Sequence, residues 1–380
     1  MAWMNVLEAA GRLPGILFRG ETCYDFDGIP MPLTEMSWRK RTNLLKAGVD
    51  MVMNKDTMYA LPPVIQIEPT NICNLRCPLC PTGSGSLPRK PGMMEYSMVE
   101  RLLTEVGEDL GAVYFFCFGE PFLNKDLPRM IRACTDRGII TLTSTNGQCC
   151  QTMEDAVRVV DSGLTTLIVA LDGSTQESYE KYRKGGDIEK VKRFVSLIEE
   201  AKKRRNSPYP YTVLRAVVMK ENAGELDALA RTAVDWGVNM FATKTVGCLV
   251  TSEEFHDHEP VETEFRRFEY ARVQRGTARM DRCIFPFRQP IIFCDGTVVG
   301  CEYDHELEMA FGSLIHTRFV DIWNSDNAKS LRKAVRSGKR KPGFCLRCPY
   351  ENNVRRGTRL DCKELRPVHF SSRIQSRKSL

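Results

Sequence analysis

The stretch Ile67-Glu68-Pro69-Thr70-Asn71-Ile72-Cys73-Asn74-Leu75-Arg76-Cys77-Pro78-Leu79-Cys80-Pro81 sets three cysteines in a C-x3-C-x2-C spacing, directly after an apolar run that reads as a strand. Three thiolates hold three corners of a cubane [4Fe–4S] cluster, whereas such clusters commonly have four cysteine ligands. The fourth iron is then open, and an open iron can chelate a small molecule through an amine and a carboxylate. The competing reading is a zinc knot, but a structural zinc needs four nitrogen or sulfur ligands. No fourth Cys or His lies near this stretch, and the spacing at a strand end favours the cluster.

Outward from this stretch, apolar strands alternate with amphipathic helices. Strands are expected at Val64–Glu68, Val113–Phe118, Ile140–Ser144, Thr166–Leu171, Thr212–Val218 and Met240–Lys244. Helices are expected between them at Met98–Leu110, Leu127–Arg137, Met153–Asp161, Ile188–Arg204 and Gly224–Trp236. In the last, Leu226, Leu229, Ala230, Ala233 and Val234 share one face at helical spacing. Repeated strand–helix alternation implies parallel strands with right-handed crossovers. Six such units are fewer than a closed eight-fold barrel needs. The expected α/β fold is an open, TIM-like partial (β/α)6 barrel, followed by a small β-hairpin and helix domain.

In such barrels the chemistry sits at the C-terminal ends of the strands. Cys73, Cys77 and Cys80 follow the first strand, and Phe118-Gly119-Glu120-Pro121 follows the second. Thr143-Ser144-Thr145-Asn146-Gly147 ends the third, with hydroxyls and an amide that suit a ribose. Leu171-Asp172-Gly173 ends the fourth, and Tyr179-x3-Arg183-x-Gly185 lies beyond it. Taken singly, each is more often a turn or a cap. Their order, spacing and shared position give them a common meaning.

These motifs resemble the radical SAM superfamily, with the cofactor S-adenosylmethionine (SAM) as the small molecule on the open iron. The resemblance implies the partial barrel and assigns roles residue by residue. Glu120 and its backbone would meet the amino group of SAM, Ser144 and Asn146 would face its ribose, and Arg183 would pair with its carboxylate through charge-assisted bonds. Phe118 departs from the family's GGEP motif, where a glycine stands, and leaves Glu120 in place.

A second cysteine set begins at Cys283. Asp295-Gly296 between apolar runs signals a hairpin, Cys301 follows, a helix is expected from Asp321 to Val335, and Cys345-x2-Cys348 comes after it. This layout resembles the SPASM/Twitch extension of radical SAM enzymes, which implies an auxiliary cluster. Full SPASM domains carry seven cysteines; here Val354 stands where the next ligand would fall. Cys283, Cys301, Cys345 and Cys348 suffice for one fully coordinated [4Fe–4S] cluster, and zinc competes for the same set. Cys294 and the unmatched Cys117, Cys134, Cys149, Cys150 and Cys248 read as small core residues. Cys362 is at most a reserve ligand. The resemblance covers about residues 61–350.

The composition fits a folded chain of about two domains: 380 residues, 42% apolar and 27% charged. Net charge is +6, too modest to imply nucleic acid, and its excess sits in clusters such as Lys202-Lys203-Arg204-Arg205. No secretory signal or membrane-spanning run is legible, so the fifteen cysteines are expected as thiols or metal ligands in a cytoplasmic protein. The expected organisation is a helical extension over 1–60, the barrel over 61–250, a helical linker over 251–282, the auxiliary-cluster domain over 283–363 and a polar tail over 364–380. Within the first segment, helices at Asn5–Ala10 and Trp38–Met53 flank a Pro/Gly connection at Gly28–Pro32.

The resemblance implies a radical SAM oxidoreductase. A flavodoxin- or ferredoxin-type donor would supply an electron, SAM would be cleaved reductively to give a 5′-deoxyadenosyl radical, and a substrate C–H would be oxidised. A sugar or cyclitol alcohol becoming a ketone suits the four-ligand auxiliary set. Its hydroxyl proton needs a base: Glu302, directly after Cys301, stands where related enzymes place a carboxylate, and Asp304, two residues on, is a second candidate. The alternative is a peptide- or protein-modifying enzyme; a lesser one is a non-catalytic iron–sulfur electron carrier. Neither nucleic acid nor membrane is expected as a partner.

Overall fold

A computed structural model of the chain describes residues 11, 13–53, 55–247, 257–261, 283–339, 341–346, 359–364 and 366–367. The helix expected at Asn5–Ala10, nearly all of the expected linker, Cys248, Cys348 and Val354 lie outside the described residues.

The first described strands, β1 (Thr22–Phe26) and β2 (Ile29–Leu33), form an antiparallel hairpin in which Phe26 faces Ile29. Asp27 and Gly28 make its two-residue turn with φ of 50° and 80°, the backbone of a type I′ turn. The segment expected as a helical extension over 1–60 thus contains a β-hairpin around the expected Gly28–Pro32 connection. Pro30 and Pro32 carry no N–H, and β2 tolerates them because its outer edge pairs with no further strand. Helix α1 (Trp38–Val52) follows, opened by Ser37, whose hydroxyl accepts the Lys40 amide.

From Val64 the expected alternation holds. The order is β3 (Val64–Ile67), α2 (Tyr96–Val106), β4 (Ala112–Phe115), α3 (Leu127–Thr135), β5 (Ile140–Thr145), α4 (Met153–Asp161), β6 (Thr166–Ala170), α5 (Gln176–Tyr182), α6 (Ile188–Arg204), β7 (Tyr211–Val218), α7 (Leu226–Asp235) and β8 (Met240–Thr245). The six strands β3 to β8 are parallel neighbours in sequence order, which makes the open partial barrel. Alternation along each strand separates two faces. Ile65, Val113, Phe115, Leu167, Val169 and Leu214 join the helices in the outer core. Each buried Leu, Ile, Val or Phe there contributes roughly 1.5–3 kcal/mol.

The inner face carries Val64, Ala112, Tyr114, Ile140, Leu142, Ile168, Val213, Met240 and Ala242, and these pack against the hairpin. Tyr24 lies against Gly111, at the start of β4. Phe26 meets Tyr114 and Phe116 edge-on, with ring centroids 5.3 and 5.2 Å away. The hairpin therefore runs up inside the barrel from the N-terminal ends of its strands, tip first. Helix α1 closes the same end. Lys40 donates to the carbonyls of Arg137 and Gly138, both at 2.6 Å, and Asn43 donates to those of Leu61 and Asp109 at 3.0 and 3.1 Å.

The C-terminal segment adds β9 (Ile291–Ile292), β10 (Thr297–Val299), β11 (Gly312–Ser313), α8 (Phe319–Trp323), α9 (Asp326–Ser337), β12 (Arg359–Asp361) and β13 (Arg366–Pro367). β9 pairs in parallel with β3, and β12 pairs antiparallel with β8. Arg332 anchors this segment. It is fully buried, donates to the carbonyls of Pro286, Asp56 and Trp323, and lies 4.1 Å from the Trp323 ring.

Candidate active site and cluster loops

The loop of Cys73, Cys77 and Cys80 leaves the top of β3 and is pinned on several sides. Thr70 Oγ1 donates to the Gly92 carbonyl at 2.7 Å, Asn71 Oδ1 accepts the Gly92 amide at 2.8 Å, and Asn71 Nδ2 donates to Lys90 at 2.8 Å. Under this loop Glu68 and Arg89 form a bidentate pair with two bonds of 2.7 Å, and Glu68 also accepts the Cys294 amide at 3.1 Å. The Arg89 guanidinium lies 3.8 Å from the Phe293 ring centroid.

The three thiols pack into one small cluster with Leu75, Leu79, Tyr182 and Met219. Burial pushes Cys73 up to about 11, with the Leu75 amide opposing and Glu120, Cys77 and Cys80 adding to the rise. Burial also raises Cys77, against the pull of Arg183. A cationic iron centre would stabilise Cys73, Cys77 and Cys80 as thiolates. Among the described residues no three Cys, His, Asp or Glu side chains draw together around a single ion. The soft, three-thiol donor set suits a [4Fe–4S] cluster.

The other strand-end residues surround this loop. Gly119 has φ +77°, and a Cβ there would stand 2.4 Å from the Thr70 carbonyl oxygen, so only glycine lets the β4 loop lie against the cysteine loop. The Glu120 amide then donates to the Ile72 carbonyl at 2.8 Å. The buried Glu120 carboxylate accepts from Thr145 Oγ1 at 2.7 Å and from the Asn146 and Phe122 amides at 2.8 and 3.2 Å. Burial raises its pKa in spite of these donors. Asn146 donates to Asn74 Oδ1 at 2.8 Å and sits 3.8 Å from Cys73 Sγ. Ser144 is half-buried on the inner face of β5. Arg183 is held at Nε by Asp172, which also accepts the Val217 amide, and its Nη1 lies 3.8 Å from Cys77 Sγ. Glu120, Asn146 and Arg183 are thus brought together at the cysteine loop.

In the second set Cys301 and Cys345 are buried and Cys283 is half-buried; Cys348 lies outside the described residues. Glu308 ties the loop that follows Cys301 to the helical turn Gly343–Leu346, accepting the amides of Gly343 and Phe344. Asp304 accepts the amides of Glu308 and Met309 at 2.6 and 3.0 Å and is fully buried. With both oxygens engaged, its geometry is that of a loop brace. Glu302 is half-buried and bears on Cys117, whose thiol is raised well above its usual value by burial first, then by Glu68 and Glu302. That puts Glu302 beside the top of β4.

Phe118, the departure from GGEP, packs 6.5 Å from Phe293 and 5.7 Å from His305, ring to ring. It joins the barrel to the C-terminal segment. Sequence reading missed the Glu68–Arg89 pair, which spans 21 residues, and missed Asp27, Arg215 and Lys244 inside the barrel. The signals were a charged residue within each apolar strand, Arg215 in β7 and Lys244 in β8, and Asp27-Gly28 between two short runs.

The family description "Radical SAM superfamily" matches residues 67–233, and "Iron-sulfur cluster-binding domain" (SPASM) matches residues 283–349. The chain belongs to the radical SAM superfamily and carries a C-terminal SPASM domain, so its cofactors are a [4Fe–4S] cluster with SAM and auxiliary iron–sulfur. It is 24% identical over 331 residues to the AdoMet-dependent heme synthase of Oleidesulfovibrio alaskensis, covering 76% of this chain and 80% of the relative. Other curated relatives are spanned over 27% to 56% of their own length. Among solved structures, Streptococcus suis SuiB bound to precursor peptide SuiA superposes with a TM-score of 0.58 at 14% identity, over 92% of this chain and 83% of SuiB. Native anSMEcpe with bound AdoMet superposes with a TM-score of 0.53 at 16% identity, over 77% of this chain and 92% of that one. At these identities the likeness is one of fold. No helix among the described residues is long and apolar enough to cross a membrane.

Proposed function

We propose that this chain is a radical SAM oxidoreductase that oxidises a substrate C–H by two electrons, as in an alcohol of a sugar or cyclitol becoming a ketone. The observation that carries this reading is the continuity of the two cysteine segments. β9 lies in register on β3, Gln66 opposite Ile291 and Ile67 opposite Ile292, so the auxiliary segment is built onto the strand that ends in the first cysteine loop. When bound, SAM and the two clusters supply hydrogen-atom abstraction and an acceptor for the electron that remains.

The chain's own residues do the rest. Cys73, Cys77 and Cys80 hold the first group, and Cys283, Cys301, Cys345 and Cys348 the second. Arg183, fixed at Nε by Asp172, turns the Nη1 side of its guanidinium to Cys77 and there offers it to a carboxylate. Glu120 holds the Thr145–Asn146 turn against the cysteine loop, and Ser144 faces the lumen below it. Glu302 accepts the hydroxyl proton. The substrate thereby loses one hydrogen atom, one proton and one electron, and the product is two hydrogens lighter. A flavodoxin- or ferredoxin-type protein supplies the priming electron.

The test is anaerobic incubation of reconstituted protein with SAM and a chemical reductant. 5′-Deoxyadenosine separates enzyme from carrier, and a product isomeric with its substrate overturns the oxidation. A peptide substrate is the second reading. It is favoured by the two structural neighbours solved with peptides, SuiB with SuiA and anSMEcpe with Cp18Cys.

A further inference from the structure

Inside the barrel the strands present two cations on one face, Arg215 on β7 and, one side-chain step higher and opposite Val217, Lys244 on β8. Both are on the face that carries Val213 and Ala242, and the tip of the hairpin rises to meet them. Asp27, the first turn residue, holds Lys244 Nζ at 2.8 Å. Its carboxylate stands 3.7 Å from Arg215 Nη1, beyond hydrogen-bond reach. That buried Nη1 has no hydrogen-bond partner among the described residues. The Phe26 ring centroid lies 5.7 Å from its guanidinium carbon.

Asp27 is shared between the two cations and makes its hydrogen-bond-length contact with Lys244, which leaves the Arg215 Nη1 under-compensated. A buried charge without full compensation is costly, and an arginine does not escape by losing its proton. Burial lowers the Arg215 pKa against the pull of Asp27 and Asp172, which agrees with an under-compensated guanidinium. Its cross-strand partners are Ala170 on β6 and Ala242 on β8, so small side chains leave room around it. Two residues further up the same face, Val217 reaches Asp172, the residue that fixes Arg183 at the cysteine loop. That step is about 7 Å along a strand.

We propose that Arg215 and Lys244, set by Asp27, form the floor of the substrate chamber and anchor an anionic group, a carboxylate or phosphate, of the substrate. This rests on the barrel being the reaction chamber, as in the function proposed above. The anion seated on the floor supplies the partner that Arg215 Nη1 lacks and directs the remainder of the substrate upward, toward Arg183 and the cysteine loop. Asp27 tunes the site: it keeps the two cations from being a stronger, less selective anion trap.

The experiment is thermal unfolding of the reconstituted protein without SAM, at fixed ionic strength, titrated with inorganic phosphate, succinate or uncharged myo-inositol. Phosphate or succinate raises the Tm of the wild type saturably and myo-inositol does not. K244Q and R215Q each weaken the apparent affinity about tenfold or more, as loss of one charge-assisted contact requires. D27N moves it the other way, to tighter binding. A wild type with no anion-specific stabilisation overturns the inference, as do K244Q and D27N shifting affinity in the same direction, since a structural ion cluster would be weakened by both. Far-UV circular dichroism identifies any variant that fails to fold; R215K then replaces R215Q. 5′-Deoxyadenosine formation, measured on the same preparations, keeps the two claims apart. SAM cleavage without anion binding sinks only the floor site, and anion binding without SAM cleavage sinks only the enzymatic reading.

Discussion

Replacing Arg89 with methionine probes the bond between the cysteine loop and the rest of the molecule. Methionine keeps an aliphatic stem against Phe118 and Phe293 but leaves Glu68 as a lone carboxylate. Glu68 is fully buried and the Arg89 side chain is only 5% exposed, so water cannot stand in for the lost partner. Breaking such a pair costs about 3–5 kcal/mol, because the remaining charge stays buried. The Cys294 amide still donates to Glu68, which points to the lower half of that range. E68Q/R89M removes the charge as well and should recover much of the loss, with a coupling of about 2–3 kcal/mol. Urea unfolding of reconstituted protein, followed by far-UV circular dichroism and by cluster absorbance, measures the cycle. Because the pair is dry, the cost should be nearly the same at low and high salt. An R89M loss below about 1 kcal/mol, the worth of an exposed pair, refutes the reasoning, and so does strict additivity in the double mutant.

Replacing Cys73, Cys77 and Cys80 together by alanine should abolish 5′-deoxyadenosine formation and cut iron from about eight to about four per chain, two cubanes becoming one; stoichiometric zinc in the wild type would instead make the second set a structural zinc site. C301A or C345A should depress product formation while SAM cleavage persists, as measured by the ratio of product to 5′-deoxyadenosine. G119A drives a Cβ to 2.4 Å from the Thr70 carbonyl oxygen; it should lower iron in the first cluster several-fold and leave the second intact, read by Mössbauer spectroscopy.

The sequence was most legible where periodicity and strand ends coincide. Five of the six strands begin and end within one residue of expectation, and α4 and α6 match it fully. β4 ends at Phe115 rather than Phe118, because Phe116, Cys117 and Phe118 are apolar without being strand: they line the top of the barrel. The hairpin went unread because Pro30 and Pro32 resemble a connection, and a proline-bearing strand is possible only where no third strand pairs. Trp38-Arg39-Lys40-Arg41 resembles a solvated or ligand-facing patch. Trp38 and Arg39 do face solvent, Arg39 pairing with Asp109 at 2.7 Å, whereas Lys40 is buried under two carbonyls and Arg41 donates to the Met36 and Leu17 carbonyls. Asp304 was a reasonable base by position; only three-dimensional structure shows both its oxygens spent on backbone amides. The Glu68–Arg89 pair joins residues that no local pattern connects, because a loop has to fold back before they meet.

A six-stranded open barrel has two raw edges, β3 and β8, and an unpaired edge invites association with other chains. Here β9 covers one edge and β12 the other, so a single C-terminal segment closes both. Cys301 therefore follows a strand, β10, whose backbone hydrogen bonds belong to the barrel sheet. Ile292 turns into the outer core with the helices, while Ile291 packs with Phe118, Phe293 and Val299. A slip of one residue on β3 would exchange these faces and expose one of them. The position of Cys301, two residues past β10, relative to the first cysteine loop is thus set by strand register through β9 and β3, and a fixed separation is what the proposed electron transfer requires.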